Sequence, residues 1–131
     1  MQNPLKILLV EDDIDDIELL EGALNDNSVV YDMEVLMEGD LVYPYLTNCS
    51  ILPEIIILDF NLPKVHGRDI LIQIKSRDNL KHIPVVVLTT SSAKEDMNFA
   101  LENGASKFIT KPTNINDLNK AIETILECSP V

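Results

Sequence analysis

The sequence predicts an α/β fold in which a parallel sheet is covered by helices on both faces. Five short runs of mainly apolar residues, each of strand length, recur along the 131 residues, and segments with helical spacing separate them. This alternation is typical of right-handed β-α-β crossovers, which bring parallel strands into one sheet. The length suits one domain covering residues 1–131, and we expect no output domain within it.

The third apolar run is the best-defined central strand. Residues 55–58 are continuously apolar and mostly β-branched, which indicates burial on both faces of the sheet. The run stops at Asp59, and Pro63 and Gly67 indicate that a loop follows at once. The carboxyl ends of parallel strands line the ligand crevice, so Asp59 is expected at its mouth. Taken alone, such an aspartate could equally cap the next turn.

Four other runs complete the predicted sheet. They are residues 5–10, 31–36, 85–88 and 107–110, of which 31–36 alternates weakly and is expected to be the more exposed.

Helical spacing predicts five helices between and after these strands. The first covers residues 14–24, and the second is short or distorted and effectively begins near Val42, because Pro44 lacks a backbone donor. The third has an apolar face that ends near Ser76. Ser92 and Glu95 form the pattern of a capping box, which predicts the start of the fourth helix.

The last two helices have predicted inner faces and ends. For the fourth helix the inner face is Met97, Ala100 and Leu101, and Gly104 ends the helix. Asn114 with Asp117 is expected to cap the fifth helix. The apolar face of the fifth helix is predicted to be Leu118, Ala121, Ile122 and Ile125.

Composition excludes several classes of partner. Twenty-two acidic and 10 basic residues give a net charge of −12, and a field of that sign disfavours binding to nucleic acid or to an anionic membrane surface. Neither a secretory signal nor an apolar run long enough to span a bilayer is present in the sequence. Cys49 and Cys128 lack metal-site spacing and are expected to be reduced thiols of a cytoplasmic protein.

Functional side chains follow four of the predicted strands directly. Glu11 and Asp12 follow the first strand, Asp59 the third, Thr89 the fourth and Lys111 the fifth. In a parallel sheet these ends share one edge, where three carboxylates would repel one another unless a cation neutralised them. Oxygen ligands of this kind suit Mg²⁺. Carboxylates, a cation, a lysine and a hydroxyl together are what phosphoryl transfer requires.

This set of residues resembles the receiver domain of two-component response regulators. The resemblance covers essentially the whole chain and includes the pair Lys111-Pro112. The local sequences of residues 59–63 and 88–92 are similar to those of short single-domain receivers. Some of those pair with phytochrome-type sensor kinases. The resemblance implies a flavodoxin-like three-layer sandwich with strand order 2-1-3-4-5 and five helices.

The resemblance also implies roles for the matching residues. Asp59 is the phosphoacceptor, which receives the phosphoryl group from a phosphohistidine of a sensor histidine kinase or a histidine phosphotransfer protein. Asp12 binds Mg²⁺ directly, Glu11 binds it through water, and the backbone carbonyl of Asn61 is a further ligand. Mn²⁺ is expected to substitute for Mg²⁺.

The remaining implied roles concern the fourth and fifth strands. Thr89 donates its hydroxyl to the phosphoryl group, Lys111 pairs with that group, and the Lys111-Pro112 bond is cis. Phe108 matches the aromatic switch position, where its ring can act only by packing because it has no hydroxyl. The resemblance implies no enzymatic turnover beyond self-catalysed phosphotransfer and dephosphorylation.

The implied output is contact with a downstream protein target. The surface expected to change is that of the fourth helix, the last strand and the last helix, which is also a candidate homodimer surface.

Other readings stay open at the level of sequence. An aspartyl-phosphate hydrolase of the haloacid dehalogenase type would place its nucleophile at the end of the first strand, and Asp13 does follow Glu11 at the required interval. That reading leaves Asp59 unexplained. A module that only binds partners would be expected to lack Lys111 or the acceptor.

Several polar residues near the motif have simpler interpretations. Asp13 and the acidic run of the first helix are expected to be solvated, and His66 to be a surface residue. Ser91 is a turn residue that could line the site. Lys64 and Arg68 could contact a phosphate or a partner, but loop exposure alone explains them.

Overall fold

Five parallel strands form the sheet that positions the candidate site. The structure is a computed structural model and describes residues 3–129. The strands are β1 (Leu5–Val10), β2 (Tyr31–Leu36), β3 (Ile55–Leu58), β4 (Val85–Thr89) and β5 (Lys107–Thr110). Their order is β2-β1-β3-β4-β5 with all four pairings parallel, as predicted. β4 continues one residue beyond its predicted end, so Thr89 is the last residue of the strand.

Five helices connect the strands or follow the last one. They are α1 (Ile14–Asp26), α2 (Val42–Asn48), α3 (Gly67–Lys75), α4 (Lys94–Glu102) and α5 (Ile115–Cys128). A single 3₁₀ turn, Gly39–Leu41, precedes α2. Pro44 lies in the first turn of α2, where a missing N–H costs nothing, and the predicted start near Val42 is confirmed. Within residues 3–129, each helix is too short or too polar to cross a membrane.

The core divides into two layers because β3 alternates its side chains between the two faces of the sheet. Ile56 and Leu58 pack in the layer under α2, α3 and α4, whereas Ile55 and Ile57 pack in the layer under α1 and α5. Every residue of β3 is buried, as the continuous apolar run predicted. The α5 face is buried through Ala121, Ile122 and Ile125, and Leu118 packs beside it.

The predictions for the ends of α4 and α5 have different outcomes. The Asn114 side chain accepts a hydrogen bond from the Asp117 N–H at 2.9 Å, which confirms the cap of α5. The capping box at Ser92 is wrong: the N-cap of α4 is Ala93, and Ser92 is exposed. The reason is that the preceding turn is held one residue earlier, where the Ser91 hydroxyl accepts from the Ala93 N–H at 3.2 Å.

The inner face of α4 is narrower than predicted. Ala100 is fully buried, but Met97 is only half-buried and Leu101 is 49% exposed. Phe99 packs against the core instead. Gly104 has a positive φ of 97° after the helix end, as a C-terminal glycine requires. The two cysteines, Cys49 and Cys128, are free thiols as expected.

Candidate phosphoryl-transfer site

Three strand-end residues are the only buried polar side chains within residues 3–129. Glu11 and Asp59 are each 4% exposed and Thr89 is fully buried. They follow or end β1, β3 and β4, neighbouring strands of the sheet. Burial of two carboxylates is costly unless they are paired or hydrogen-bonded, so their presence together marks a functional site rather than a surface cluster.

Backbone hydrogen bonds hold the acidic residues in place. The Asp59 N–H donates to the Val10 carbonyl at 3.0 Å, which extends the pairing of β3 with β1 beyond the strand. The Asn61 N–H donates to Asp59 Oδ1 at 3.2 Å, and the N–H groups of Asp12 and Asp13 donate to Glu11 Oε2 at 3.1 and 3.2 Å. These donors orient both carboxylates before any ligand arrives.

The carboxylates of Glu11, Asp12 and Asp59 form a cluster that fits a divalent cation. One oxygen from each lies within 4.8 Å of the others. Asp12 is exposed, so the cluster opens to solvent on one side. An all-oxygen donor set with an open side is the chemistry of a hard divalent cation that keeps part of its water shell.

Asp13 takes no part in that cluster. Its side chain caps α1 by accepting from the N–H groups of Asp15 at 2.9 Å and Asp16 at 3.4 Å, and it is exposed. The expectation that Asp13 is a solvated first-turn acid is confirmed. The hypothesis of a haloacid dehalogenase-type hydrolase needs Asp13 as its second catalytic aspartate. The Asp13 carboxylate caps α1 instead, which argues against that hypothesis.

Lys111 reaches the site from the residue after β5 and contacts three carboxylates. Its Nζ lies 2.6 Å from Glu11 Oε1, 2.6 Å from Asp16 Oδ2 and 3.4 Å from Asp59 Oδ2. Burial lowers the pKa of Lys111, but the hydrogen bonds that its ammonium donates to Asp16 and Glu11, together with the charge of Asp59, outweigh burial, so the pKa is raised. Lys111 is therefore a fixed positive charge at neutral pH.

Burial also sets the protonation of Glu11. It raises the pKa of Glu11 to about 7, with the nearby charge of Asp59 acting in the same direction and the ion pair with Lys111 opposing it.

The cis bond predicted between Lys111 and Pro112 is wrong. No peptide bond within residues 3–129 is cis. A trans bond before proline is favoured by about 0.5–1 kcal/mol, and Lys111 reaches its carboxylate partners from the trans conformation.

Comparison with known proteins identifies the family. The family described as response regulator receiver domain matches residues 7–123. The chain is a response regulator receiver domain. It is 38% identical to the response regulator Rcp1 of Synechocystis sp. over 129 residues, which cover 94% of this chain and 88% of Rcp1. The prediction of a receiver domain in two-component signalling, similar to the short phytochrome regulators, is confirmed.

Solved structures of two relatives share the fold. The phosphorylated cyanobacterial phytochrome response regulator RcpA superimposes with a TM-score of 0.87 at 36% identity, covering 95% of this chain and 93% of RcpA. The Mn²⁺-bound form of Rcp1 superimposes with a TM-score of 0.86 at 36% identity, covering 98% and 97% of the two chains. The predicted flavodoxin-like sandwich is confirmed.

Thr89 links the two strand ends that carry the rest of the receiver site. Its carbonyl accepts from the Lys111 N–H at 2.7 Å, and its Oγ1 accepts from the Ser91 N–H at 3.4 Å. The next residue, Thr90, accepts at Oγ1 from the side-chain amide of Asn61 at 3.3 Å. The loops after β3 and β4 are therefore joined above the site.

A single aromatic ring, that of Phe60, separates Phe108 from Asp59 in the packing. It packs edge to face against Phe60 with ring centroids 6.0 Å apart, and Phe60, which follows Asp59 directly, is fully buried. Phe108 itself is half-buried, so its ring bridges the core and the surface of β5. The His66 ring packs at a tilt of 51° against the same Phe60 ring, with centroids 5.7 Å apart, and His66 caps α3 through Nδ1, which accepts from the Arg68 N–H.

Two functional neighbours escaped prediction. Asp16 was expected on a solvated helix face but is half-buried against Lys111. Arg68, expected to be merely exposed, forms an ion pair with Asp96 of α4, and Asp96 Oδ2 bonds the Ser91 hydroxyl at 2.6 Å. The position of Asp16 one turn into the helix that follows Glu11 was the available signal. The Arg68–Asp96 ion pair joins segments that are distant in the chain, so no signal in the sequence could have predicted it.

Proposed function

We propose that Asp59 accepts a phosphoryl group from the phosphohistidine of a sensor kinase or a histidine phosphotransfer protein. The observation that carries the proposal is the buried Asp59 carboxylate, which lies within 4.8 Å of two other acids and 3.4 Å from a lysine ammonium. An Asp59 oxygen attacks the phosphorus, the P–N bond to histidine breaks, and the nitrogen leaves with the electron pair. The product is an acyl phosphate on Asp59.

The chain's own groups prepare this transfer. Lys111 neutralises charge on the phosphoryl oxygens, and the Thr89 hydroxyl donates a hydrogen bond to one of them. The Asn61 N–H orients the Asp59 carboxylate through Oδ1. Glu11, Asp12, Asp59 and the Asn61 carbonyl would hold Mg²⁺, with Mn²⁺ as a substitute. When bound, the cation screens the repulsion between the carboxylates and the incoming phosphoryl group.

The product is the phosphorylated protein itself, and beyond its own dephosphorylation the domain turns over no separate substrate, so it works as a switch. Its proposed kinase is of the phytochrome type, which is supported by the similarity to RcpA and Rcp1. Because the net charge is −12, a partner surface with positive charge is favoured.

Output is proposed to run through α4, β5 and α5, by contact with a downstream protein and through a homodimer of the same surface. Phe108 of β5 is half-buried, and Leu101 of α4 is exposed. When Thr89 turns toward the phosphoryl group, the Phe108 ring has room to move inward, and its lack of a polar tip keeps the desolvation cost small.

Labelled acetyl phosphate with Mg²⁺, followed by mapping of the labelled residue, tests the acceptor. Label is expected on Asp59 in an acid-labile acyl phosphate, and it should be lost in Asp59→Asn. Asp78→Asn is the matched control, because Asp78 has a side chain that is 98% exposed and far from the cluster in sequence. Acyl-phosphate label retained in Asp59→Asn would refute the assignment.

Sedimentation and amide exchange with and without a beryllium fluoride adduct test the output surface. Protection is expected to change across residues 89–110, and the mass to rise if phosphorylation drives dimer formation. Unchanged exchange refutes the switch, whereas unchanged mass refutes only the phosphorylation-driven dimer.

A further inference from the structure

Asp16 has a place in the site that the acceptor, the cation ligands and the hydroxyl do not explain. It lies in the first turn of α1, and its Oδ2 is 2.6 Å from Lys111 Nζ. The same ammonium is 2.6 Å from Glu11 Oε1 but 3.4 Å from Asp59 Oδ2. The two short contacts thus lie with the acids that do not accept the phosphoryl group.

We propose that Asp16 is a positioning residue that holds Lys111 away from Asp59 in the unphosphorylated domain and competes with the phosphoryl group for it. The proposal rests on the function proposed above. An ammonium has three donors, and here two of them are taken by short contacts before any phosphoryl group arrives. Only the longer contact, at 3.4 Å, is directed to Asp59, so closer engagement of a phosphoryl group there draws Lys111 away from one of its two short contacts.

Exposure decides which contact is given up. The Asp16 side chain is 30% exposed, whereas those of Glu11 and Asp59 are each 5% exposed. A carboxylate that already touches water regains hydration when it loses its partner, but a buried carboxylate left unpaired is costly. Release of Lys111 from Asp16 is therefore the easy movement, and Asp16 opposes the phosphorylated state without blocking it.

Asp16 is also separate from the acids that would hold a cation. Within residues 3–129, the group of carboxylates close enough to share an ion comprises Glu11, Asp12 and Asp59 and does not include Asp16. Its contact with the site runs through Lys111, at 2.6 Å. Its removal should consequently change binding of a phosphoryl analogue through Lys111.

The test is titration with beryllium fluoride at saturating Mg²⁺, followed by fluorine NMR of the bound adduct. Asp16→Asn keeps the shape of the side chain and removes its charge, and it is expected to bind the adduct about three- to tenfold more tightly than the parent. Asp15→Asn is the matched control, since Asp15 is an exposed acid of the same first turn. It should change the affinity less than twofold.

A second measurement separates positioning from a general structural effect. In a Lys111→Gln background, Asp16→Asn should leave the residual affinity unchanged, and Asp16→Glu in the parent should stay near the parent value. Equal effects of Asp16→Asn and Asp15→Asn, weaker binding by Asp16→Asn, or a gain that persists without Lys111 would each overturn the proposal. If the parent itself binds no adduct with Mg²⁺, the proposed function fails and this inference falls with it.

Discussion

Replacement of Gly67 by alanine should damage the fold at Asp59 and Phe60. Gly67 is the first residue of α3, and its N–H donates to the Phe60 carbonyl at 3.0 Å. A Cβ at this position would lie 2.5 Å from the Asp59 carbonyl oxygen, 2.5 Å from Phe60 Cα and 2.8 Å from Phe60 Cδ1. Two of these three atoms are backbone, so no side-chain rotation relieves the overlap.

The expected loss of stability follows from how far the backbone atoms around the new Cβ would have to move. Ordinary contacts of a Cβ begin at 3.4 Å, so the backbone would have to retreat by about 1 Å. The Asp59 N–H is bonded to β1, and Phe60 is fully buried, so neither moves freely. Overpacking of this kind costs about 1–3 kcal/mol, and we expect the upper end of that range.

Gly22→Ala is the matched control within the same chain. Gly22 lies inside α1 and is exposed, and a methyl group at this position would meet no atom within 4 Å outside its own stretch of helix. Alanine there should stabilise the protein by about 0.5–1 kcal/mol, because glycine loses more backbone entropy in a helix.

Urea denaturation followed by circular dichroism, together with calorimetric titration of Mg²⁺, checks both variants. Gly67→Ala is expected to lower the free energy of unfolding and to weaken Mg²⁺ binding, since the shift displaces Asp59. Gly22→Ala should leave Mg²⁺ binding unchanged. A Gly67→Ala protein as stable as the parent, or a destabilised Gly22→Ala protein, would refute the steric reasoning.

Three further predictions concern charge and the core. Hydrogen bonds from Ser91 and Arg68 lower the pKa of Asp96, so its stabilisation is present above the unfolded pKa near 4 and is lost as pH falls through the lower folded value. Asp96→Asn should cost about 1–2 kcal/mol in urea unfolding at pH 7 and less as the pH falls below about 4; an equal cost at pH 7 and pH 2 would contradict this. Because burial raises the pKa of Glu11 to about 7, protons should compete with Mg²⁺ from neutral pH downward, and equal calorimetric affinities at pH 6 and pH 8 would contradict that. Phe60→Ala should lower the free energy of unfolding by about 3–5 kcal/mol, because the ring is fully buried, and a loss below about 1 kcal/mol would show that the core repacks.

The strands and the main site residues could be predicted from the sequence because their signals are local. The run 55–58 ends at a carboxylate, and residues 5–10 end at Glu11; parallel pairing then places both strand ends on one edge. The same reasoning placed Lys111 beside Asp59, where the structure has it at 3.4 Å. In these cases the residue type and its distance from a strand end carry the information, whatever the side chains around them do.

Only the tertiary structure decided how those groups are shared. The pairing of Lys111 with Asp16 at 2.6 Å joins residues 95 positions apart, and its strength depends on how deeply α1 and β5 bury it. The start of α4 at Lys94 is likewise set by contacts of Asp96 with Ser91 and with Arg68 on another helix. The sequence pattern predicts which residues lie at the edge of the sheet. Which carboxylates pair with Lys111 depends on burial and distance, and these are defined only in the folded chain.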